Sequence, residues 1–320
     1  MELAGLLSYG IFFLTLVGIY GLLTLGLNVQ WGYAGMLNIG VAAFFTVGAY
    51  TSAILTTAPS SAHLGGFALP LPIGFVAAML LSGILALAVG LITLRLRSDY
   101  LAIASIGIAE IIRLTLKNET WLTGGVRGLA NIPRPLQGVI PGYDGLLYLA
   151  LVMGMVALIY WANERAWRSP WGRVLRAIRE NEAAARAMGK NSLLFRLQAF
   201  VLGAMVMGLA GALYAHFVRF ISPEAFNPLF ATFLVWVMLI AGGSGNNRGA
   251  LLGAFVIWIV WSVTEIMVTR LPEDLVTRAG ALRVLLIGIL LQVILLVRPQ
   301  GLLPERPPRP ERQSSGSDRQ

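Results

Sequence analysis

RSPWGRVLRAIRENEAAARAMGKNSLLFRLQAFVLGAMVMGLAGALYAHF, residues 168–217, decides the fold. Its first half carries Arg168, Arg173, Arg176, Arg179, Arg186 and Lys190, with Glu180 and Glu182 among them. Its second half, from Leu193 to Phe217, is an apolar run long enough to cross a bilayer, which takes about 20 residues. A charged connector feeding a run of that length is the pattern of a chain that leaves a membrane and returns to it. The rest of the sequence repeats this alternation. Of 320 residues, 57% are hydrophobic and 12% charged, and the mean hydropathy is +0.75. Soluble domains carry roughly 25% charged residues. The 36 glycines suit membrane helices whose backbones approach closely.

Nine apolar segments follow: 6–29, 34–57, 70–94, 99–118, 144–163, 193–217, 228–243, 249–269 and 280–297. The expected fold is all-α, a polytopic membrane protein of about nine transmembrane or re-entrant helices with a polar cytoplasmic helix. Residues 1–298 form the membrane domain, with segment 165–191 inside it. The second segment is Gly-rich and reads as broken or re-entrant. Residues 299–320, rich in Pro, Arg and Ser, read as a disordered cytoplasmic tail. The N-terminal run lacks a basic flank and exceeds a signal-peptide core, so it reads as a retained helix. With 163–198 cytoplasmic and the segments alternating, sixteen of the 24 Lys and Arg fall on that side and eight on the other. That bias places the N-terminus outside and the C-terminus in the cytoplasm.

The net charge is +9. The basic residues sit in short gaps between apolar runs and form no long basic face, which argues against nucleic acid as a partner. There are no cysteines, and His63 and His216 stand far apart, so no metal motif is present. A phosphate-binding loop is absent too. The only Gly-Lys pair is Gly189-Lys190, followed by Asn191, with Ala184 where that loop needs Gly. GGSGNNRG, 242–249, reads as a tight turn between two membrane segments.

Between Gly172 and Gly189 the pattern predicts one amphipathic helix. Val174, Ile178, Ala185 and Met188 form its apolar stripe, with Leu175 beside them. Arg residues and glutamates cover the rest, and Glu182 and Arg186 pair one turn apart. Pro170 suits its first turn and Gly189 its close. Such a helix is too polar to span. It lies on lipid or docks its stripe in another protein's groove. Within the membrane segments, Glu110 and Arg113 share one helical face, as a structural pair or beside a translocation path. Asn28, Gln30 and Asn38 flank a Gly-rich turn, where they bond between helices, complete a broken backbone or line the path.

GRVLRAIRENEAAARAMGKNSLLFRLQAFVLGAMVMGLAGALYA, 172–215, resembles the coupling segment and following helix of branched-chain amino acid ABC importer permeases of the LivM type. GLNVQWGYAGMLNIGVAAFFTVGAY (26–50), LRLRSDYLAIASIGIAEIIRL (94–114), TGGVRGLANIP (123–133), GGSGNNRGALLGA (242–254) and LVRPQGLL (296–303) agree in order. The general Glu-Ala-Ala loop pattern of importer permeases fits less closely, because counting back from Gly189 puts Ala183 at the Glu position. The resemblance implies a non-catalytic permease subunit in the bacterial inner membrane. It implies a second, LivH-like permease chain, two ATPase subunits that use ATP-Mg, and an extracytoplasmic binding protein. It also implies that Gly172, Arg173, Val174, Leu175, Ile178, Arg179, Glu182, Ala185, Met188 and Gly189 form the ATPase contact. No cofactor is expected on this chain itself. Asn28, Asn38, Glu110 and Arg113 are candidates for the path. Branched-chain amino acids are the first-choice substrate, with urea and short amides open. The rival class is a proton-coupled transporter working through Glu110 or Glu265.

Overall fold

A computed structural model describes residues 2–59, 65–95, 98–227, 229–268 and 279–305. Its regular structure is helical, and among the described residues one isolated bridge, Leu129 to Ile221, joins two loops. The long helices are α1 (Glu2–Asn28, continued by a π turn Val29–Tyr33), α2 (Val41–Thr56), α3 (Leu71–Thr93) and α4 (Ser98–Asn118). After the short α5 (Thr120–Thr123) come α6 (Asp144–Arg168), the polar α7 (Pro170–Glu180) and α8 (Glu182–Ala187), and α9 (Ser192–Val218). A π turn, Leu229–Phe233, leads into α10 (Leu234–Gly242), followed by α11 (Asn247–Val268) and α12 (Ala279–Val297). Among the described residues, five helices are long and apolar enough to cross a membrane: α1, α3, α6, α9 and α11. The nine expected segments thus appear as nine helices among the described residues, most within a few residues of the expected bounds.

Contacts fix the directions of α1, α6 and α9. Tyr33, at the end of α1, reaches Asn163 and Trp167 at the end of α6. At the other end, Ile11 meets Gly145. The two helices therefore run together toward the face that carries α7 and α8. From there α9 returns across the layer, and its far end places His216 beside Ser52 near the end of α2 (2.8 Å).

Helix α9 is the axis of the bundle, packed by α1, α2, α3 and α6. Glycine permits this crowding. A β-carbon on Gly48 of α2 would stand 2.6 Å from the carbonyl carbon of Gly208 on α9. One on Gly208 would stand 2.7 Å from the carbonyl oxygen of Ala78 on α3. Three backbones meet there, with the Ser82 side chain of α3 reaching in to the Phe44 carbonyl of α2.

The broken second segment is resolved in kind. Residues 34–40 are not helical, and they lie inside the layer. Gln30 donates to the carbonyl of Phe200 at 2.8 Å, and Phe200 is roughly 12 Å along α9 from its polar start, at 1.5 Å per residue. Irregular backbone at that depth must be satisfied by protein. Met36 N–H donates to Gln30 O (3.0 Å), Ile39 N–H to Ser105 Oγ (2.9 Å) and Gly40 N–H to Asn38 Oδ1 (2.8 Å). Trp236 Nε1–H closes the Asn38 carbonyl at 2.9 Å, and Ala42 N–H donates to Thr232 Oγ1 at 3.0 Å.

Helix α4 is held differently. It leans on the start of α2 and on the loops at the face opposite α7, and little else. Ile103, Ile106, Ile111 and Leu114 stand exposed along one stripe, and the Glu110 side chain, on the same stripe, is 37% exposed.

Two expectations are corrected. The helix expected over 172–189 is two helices, because Asn181 leaves the helical region (φ −152°, ψ 96°) and its side chain caps α8 by accepting from Ala184 N–H at 3.0 Å. An Asn offers the backbone this local alternative, so it ends one helix and starts the next. The second correction concerns the tail. Residues 299–305 are not disordered. Leu302 and Leu303 N–H donate to the carbonyls of Ala241 and Gly242 (both 2.9 Å), the open C-terminal groups of α10. Asn246 Nδ2 donates to the carbonyls of Leu303 and Pro304. Residues 306–320 lie outside the described residues.

Candidate functional site

Helices α7 and α8, separated by the break at Asn181, form a polar surface. Ser169 caps α7, accepting from Gly172 N–H at 3.4 Å, and Pro170 occupies its first turn. Gly172 is required by the approach of α6, since a β-carbon there would stand 2.6 Å from the Ala166 carbonyl oxygen. Gly189 closes the segment at φ 76°, a left-handed conformation that favours glycine.

The apolar stripe divides in two. Leu175, Ile178 and Ala185 are buried in the chain's own bundle. Met188 is 80% exposed. The free face is made by Arg173, Ala177, Glu180, Ala183, Ala184, Ala187 and Met188. Val174, Arg179 and Glu182 lie between the two sides. The ten residues expected to contact an ATPase are thus split into an inward, anchoring set (Gly172, Leu175, Ile178, Ala185), an outward set (Arg173, Met188, Gly189) and the three between. The four exposed alanines were absent from the expectation. Their signal was present in the sequence, as small residues on the face opposite Leu175 and Ile178.

The anchoring is polar as well as apolar. Arg176 lays its guanidinium 4.2 Å over the Trp167 ring. Glu182 pairs with Arg186, accepts from Ser192 Oγ at 2.8 Å and lies 3.4 Å from Arg196. Partial burial pushes the Glu182 carboxyl up. The Ser192 hydrogen bond and the charges of Arg196 and Arg186 outweigh it and hold the group below the usual carboxylate range. Arg179 Nη1 donates to the carbonyl of Gly32 at the end of α1, and Nη2 lies 3.0 and 2.9 Å from the two carboxylate oxygens of Glu305.

The four path candidates are not brought together. Asn28, fully buried near the α7 face, donates to Asn247 Oδ1 (3.0 Å) and accepts from Gly245 N–H (2.8 Å). Tyr33 Oη and Glu164 bond the same Asn247, at 2.7 and 3.2 Å. Asn38 sits deeper, bonded to Gln30 Oε1 at 2.7 Å. Glu110 and Arg113 form a two-pronged pair (2.6 and 3.0 Å) toward the opposite face. There Arg113 and Lys117 also reach Glu224, at 3.3 and 2.8 Å. Glu224 lies in the short 3-10 helix Pro223–Phe226, and the hydrogen bond from Lys117 holds its carboxyl below the usual range. Asn28 and Asn38 therefore tie helices to one another and complete the broken backbone.

Comparison with known proteins agrees with this architecture. The family model for the branched-chain amino acid transport system permease component matches residues 10–295. The high-affinity branched-chain amino acid transport system permease protein LivM of Escherichia coli is 33% identical over 92% of this chain and 70% of its own length. The probable LivM of Methanocaldococcus jannaschii is 32% identical over 91% of this chain and 92% of its own. The LivH permease protein of Escherichia coli is more distant, 25% identical over 90% and 92%. No solved structure matches the chain. A match over nearly the whole length, by a helical bundle with a polar two-helix surface on one face, places this chain in the family of branched-chain amino acid transport system permease components.

Proposed function

We propose that the chain is the permease subunit of an ATP-driven importer of branched-chain amino acids in a bacterial inner membrane. In this reading the α7 face is cytoplasmic, with the N-terminus outside and the C-terminus inside. The outward surface of α7 and α8 seats a separate ATPase, which hydrolyses ATP-Mg. A second, LivH-like permease chain completes the membrane unit, and an extracytoplasmic binding protein delivers substrate. The observation that carries the reading is the polar surface itself. It is held rigidly from behind by Leu175, Ile178, Ala185 and the Glu182 cluster, while presenting Ala177, Ala183, Ala184, Ala187 and Met188 to a partner. Small exposed residues on a braced helix suit close docking in a protein groove better than burial in lipid.

The test is uptake of labelled leucine in proteoliposomes holding both permease chains and the ATPases, with binding protein supplied at the outer face. Uptake should require ATP and all subunits. Uptake by this chain alone, driven by a proton gradient, would refute the reading. Reporters inserted near Asn191 and near Gly142 should report opposite sides, the first cytoplasmic.

A further inference from the structure

We infer that Arg179 and Glu305 are positioning residues for energy coupling, joining the α7–α8 surface to the helices that border the broken segment 34–40. The inference rests on the reading of α7 and α8 as the ATPase contact.

Four parts of the chain, distant in sequence, meet at one guanidinium. Arg179 sits in the last turn of α7. One of its nitrogens donates to Gly32 O, in the π turn that ends α1 and leads into residues 34–40. The other spans both oxygens of Glu305. Gly35, at φ 67°, packs on the Arg179 stem, where a β-carbon would stand 3.0 Å from Cγ. Gly245, at φ 81°, packs on the carboxylate, where a β-carbon would stand 3.0 Å from Glu305 Cδ. Both backbone positions favour glycine. Gly245 also donates its N–H to Asn28 of α1.

Glu305 is itself held in place. The strand of chain before it is bonded through Leu302 and Leu303 to the end of α10 and through Asn246 to the α10–α11 turn. A displacement of α7 is therefore passed by the planar fork to the end of α1 directly. It reaches α10 through the carboxylate and the strap. Helix α10 carries Trp236, which bonds the Asn38 carbonyl inside the layer. Both routes end on the two sides of the same irregular segment. The pair is about three-quarters buried, at 24% and 29% side-chain exposure. Water screens it less than a surface pair, and the planar guanidinium, with one nitrogen on Gly32 O and the other on Glu305, holds both contacts in one fixed geometry. The other arginines of α7 lack such a link. Arg173 is exposed, and Arg176 stacks on Trp167 of the neighbouring α6.

The experiment uses the whole reconstituted complex and measures leucine moved per ATP hydrolysed, with co-purification of the ATPases and melting temperature as companions. Glu305→Gln, which leaves the α7–α8 surface itself unaltered, should assemble and hydrolyse ATP, while leucine moved per ATP falls roughly five- to 150-fold, the range of ordinary coupling energies, and Arg179→Gln should show the same fall in leucine moved per ATP. Arg179→Lys keeps the charge but not the fork and should fall between. The exchange Arg179→Glu with Glu305→Arg should recover part of the loss relative to Arg179→Glu alone. An unchanged ratio in both glutamine variants overturns the inference. So does loss of assembly or of melting temperature in both, which makes the contact a fold-holding one. If the unaltered complex fails to bind ATPases or to move leucine, the functional reading fails instead.

Discussion

The crossing of α2, α3 and α9 at Gly48 and Gly208 yields a quantitative expectation. Gly48→Ala adds one methyl, whose carbon would stand 2.6 Å from the Gly208 carbonyl carbon. Ordinary carbon–carbon contact begins near 3.4 Å, so the two helices must part by at least about 0.8 Å, and by more to clear the Gly208 carbonyl oxygen, which lies nearer still. The obstacle is backbone on both sides and cannot rotate away. Parting α2 from α9 also loosens Ser82 of α3, which donates to the Phe44 carbonyl of α2 at 3.1 Å. Overpacking of this kind costs about 3 kcal/mol. That lowers a melting temperature by roughly 5 °C or more in a chain of this size. Gly208→Ala meets Ala78 O at 2.7 Å and should cost as much. The controls are Gly107→Ala and Gly154→Ala, which meet nothing within 4 Å. There alanine should be neutral or stabilise by up to about 1 kcal/mol through helix propensity. The assay is thermal unfolding in detergent, followed by intrinsic fluorescence and gel filtration. If Gly48→Ala and Gly208→Ala melt within 1 °C or so of the controls, the close crossing is wrong.

Ile178→Asp buries a carboxylate in the chain's own bundle and should cost several kcal/mol or fail to fold, seen as loss of the gel-filtration peak. Met188→Asp, on the free face, should leave melting unchanged and weaken ATPase co-purification. The reverse order would show that α7 and α8 face the other way. Glu182 should make the attachment of α8 pH-dependent. Its carboxyl titrates below the usual range when folded, so its contribution is complete above the unfolded value near 4.3. It is lost as pH falls through the lower folded value. Protease cleavage after Arg186 should therefore rise only in acid. Glu182→Gln should be cleaved more readily near neutrality and show less change with pH. A wild-type profile in that variant would remove Glu182 from the account.

The apolar segments and the charged interruption were legible because the bilayer enforces length and polarity directly. Other features were set by partners distant in sequence. The apolar run seemed to stop at 163, yet α6 continues to Arg168. The Glu164–Arg168 pair and the bond from Asn247 satisfy the polar side chains that suggested an end. A stripe such as Leu175, Ile178 and Ala185 shows that something will cover it, but not whether the cover is the same chain. The docking of 299–305 depends on two unpaired carbonyls at the end of α10, and composition alone reads that stretch as tail. Asn181 was legible in principle, since Asn inside a helix pattern is a known interruption.

The loosely held α4 has a consequence for the life of the chain in the cell. A helix whose outward stripe includes a partly exposed Glu110 is poorly solvated by hydrocarbon, even with Arg113 beside it. Newly inserted chains awaiting a neighbour would carry this mark, and assembled ones would hide it. Unassembled protomers should therefore be short-lived, with membrane proteases as the arbiter of subunit ratio. Pulse-chase labelling would show it as a half-life that lengthens when the second permease is co-produced. Glu110→Leu together with Arg113→Leu should lengthen the half-life of the lone chain. Equal half-lives with and without the neighbour would mean that α4 is at ease in lipid.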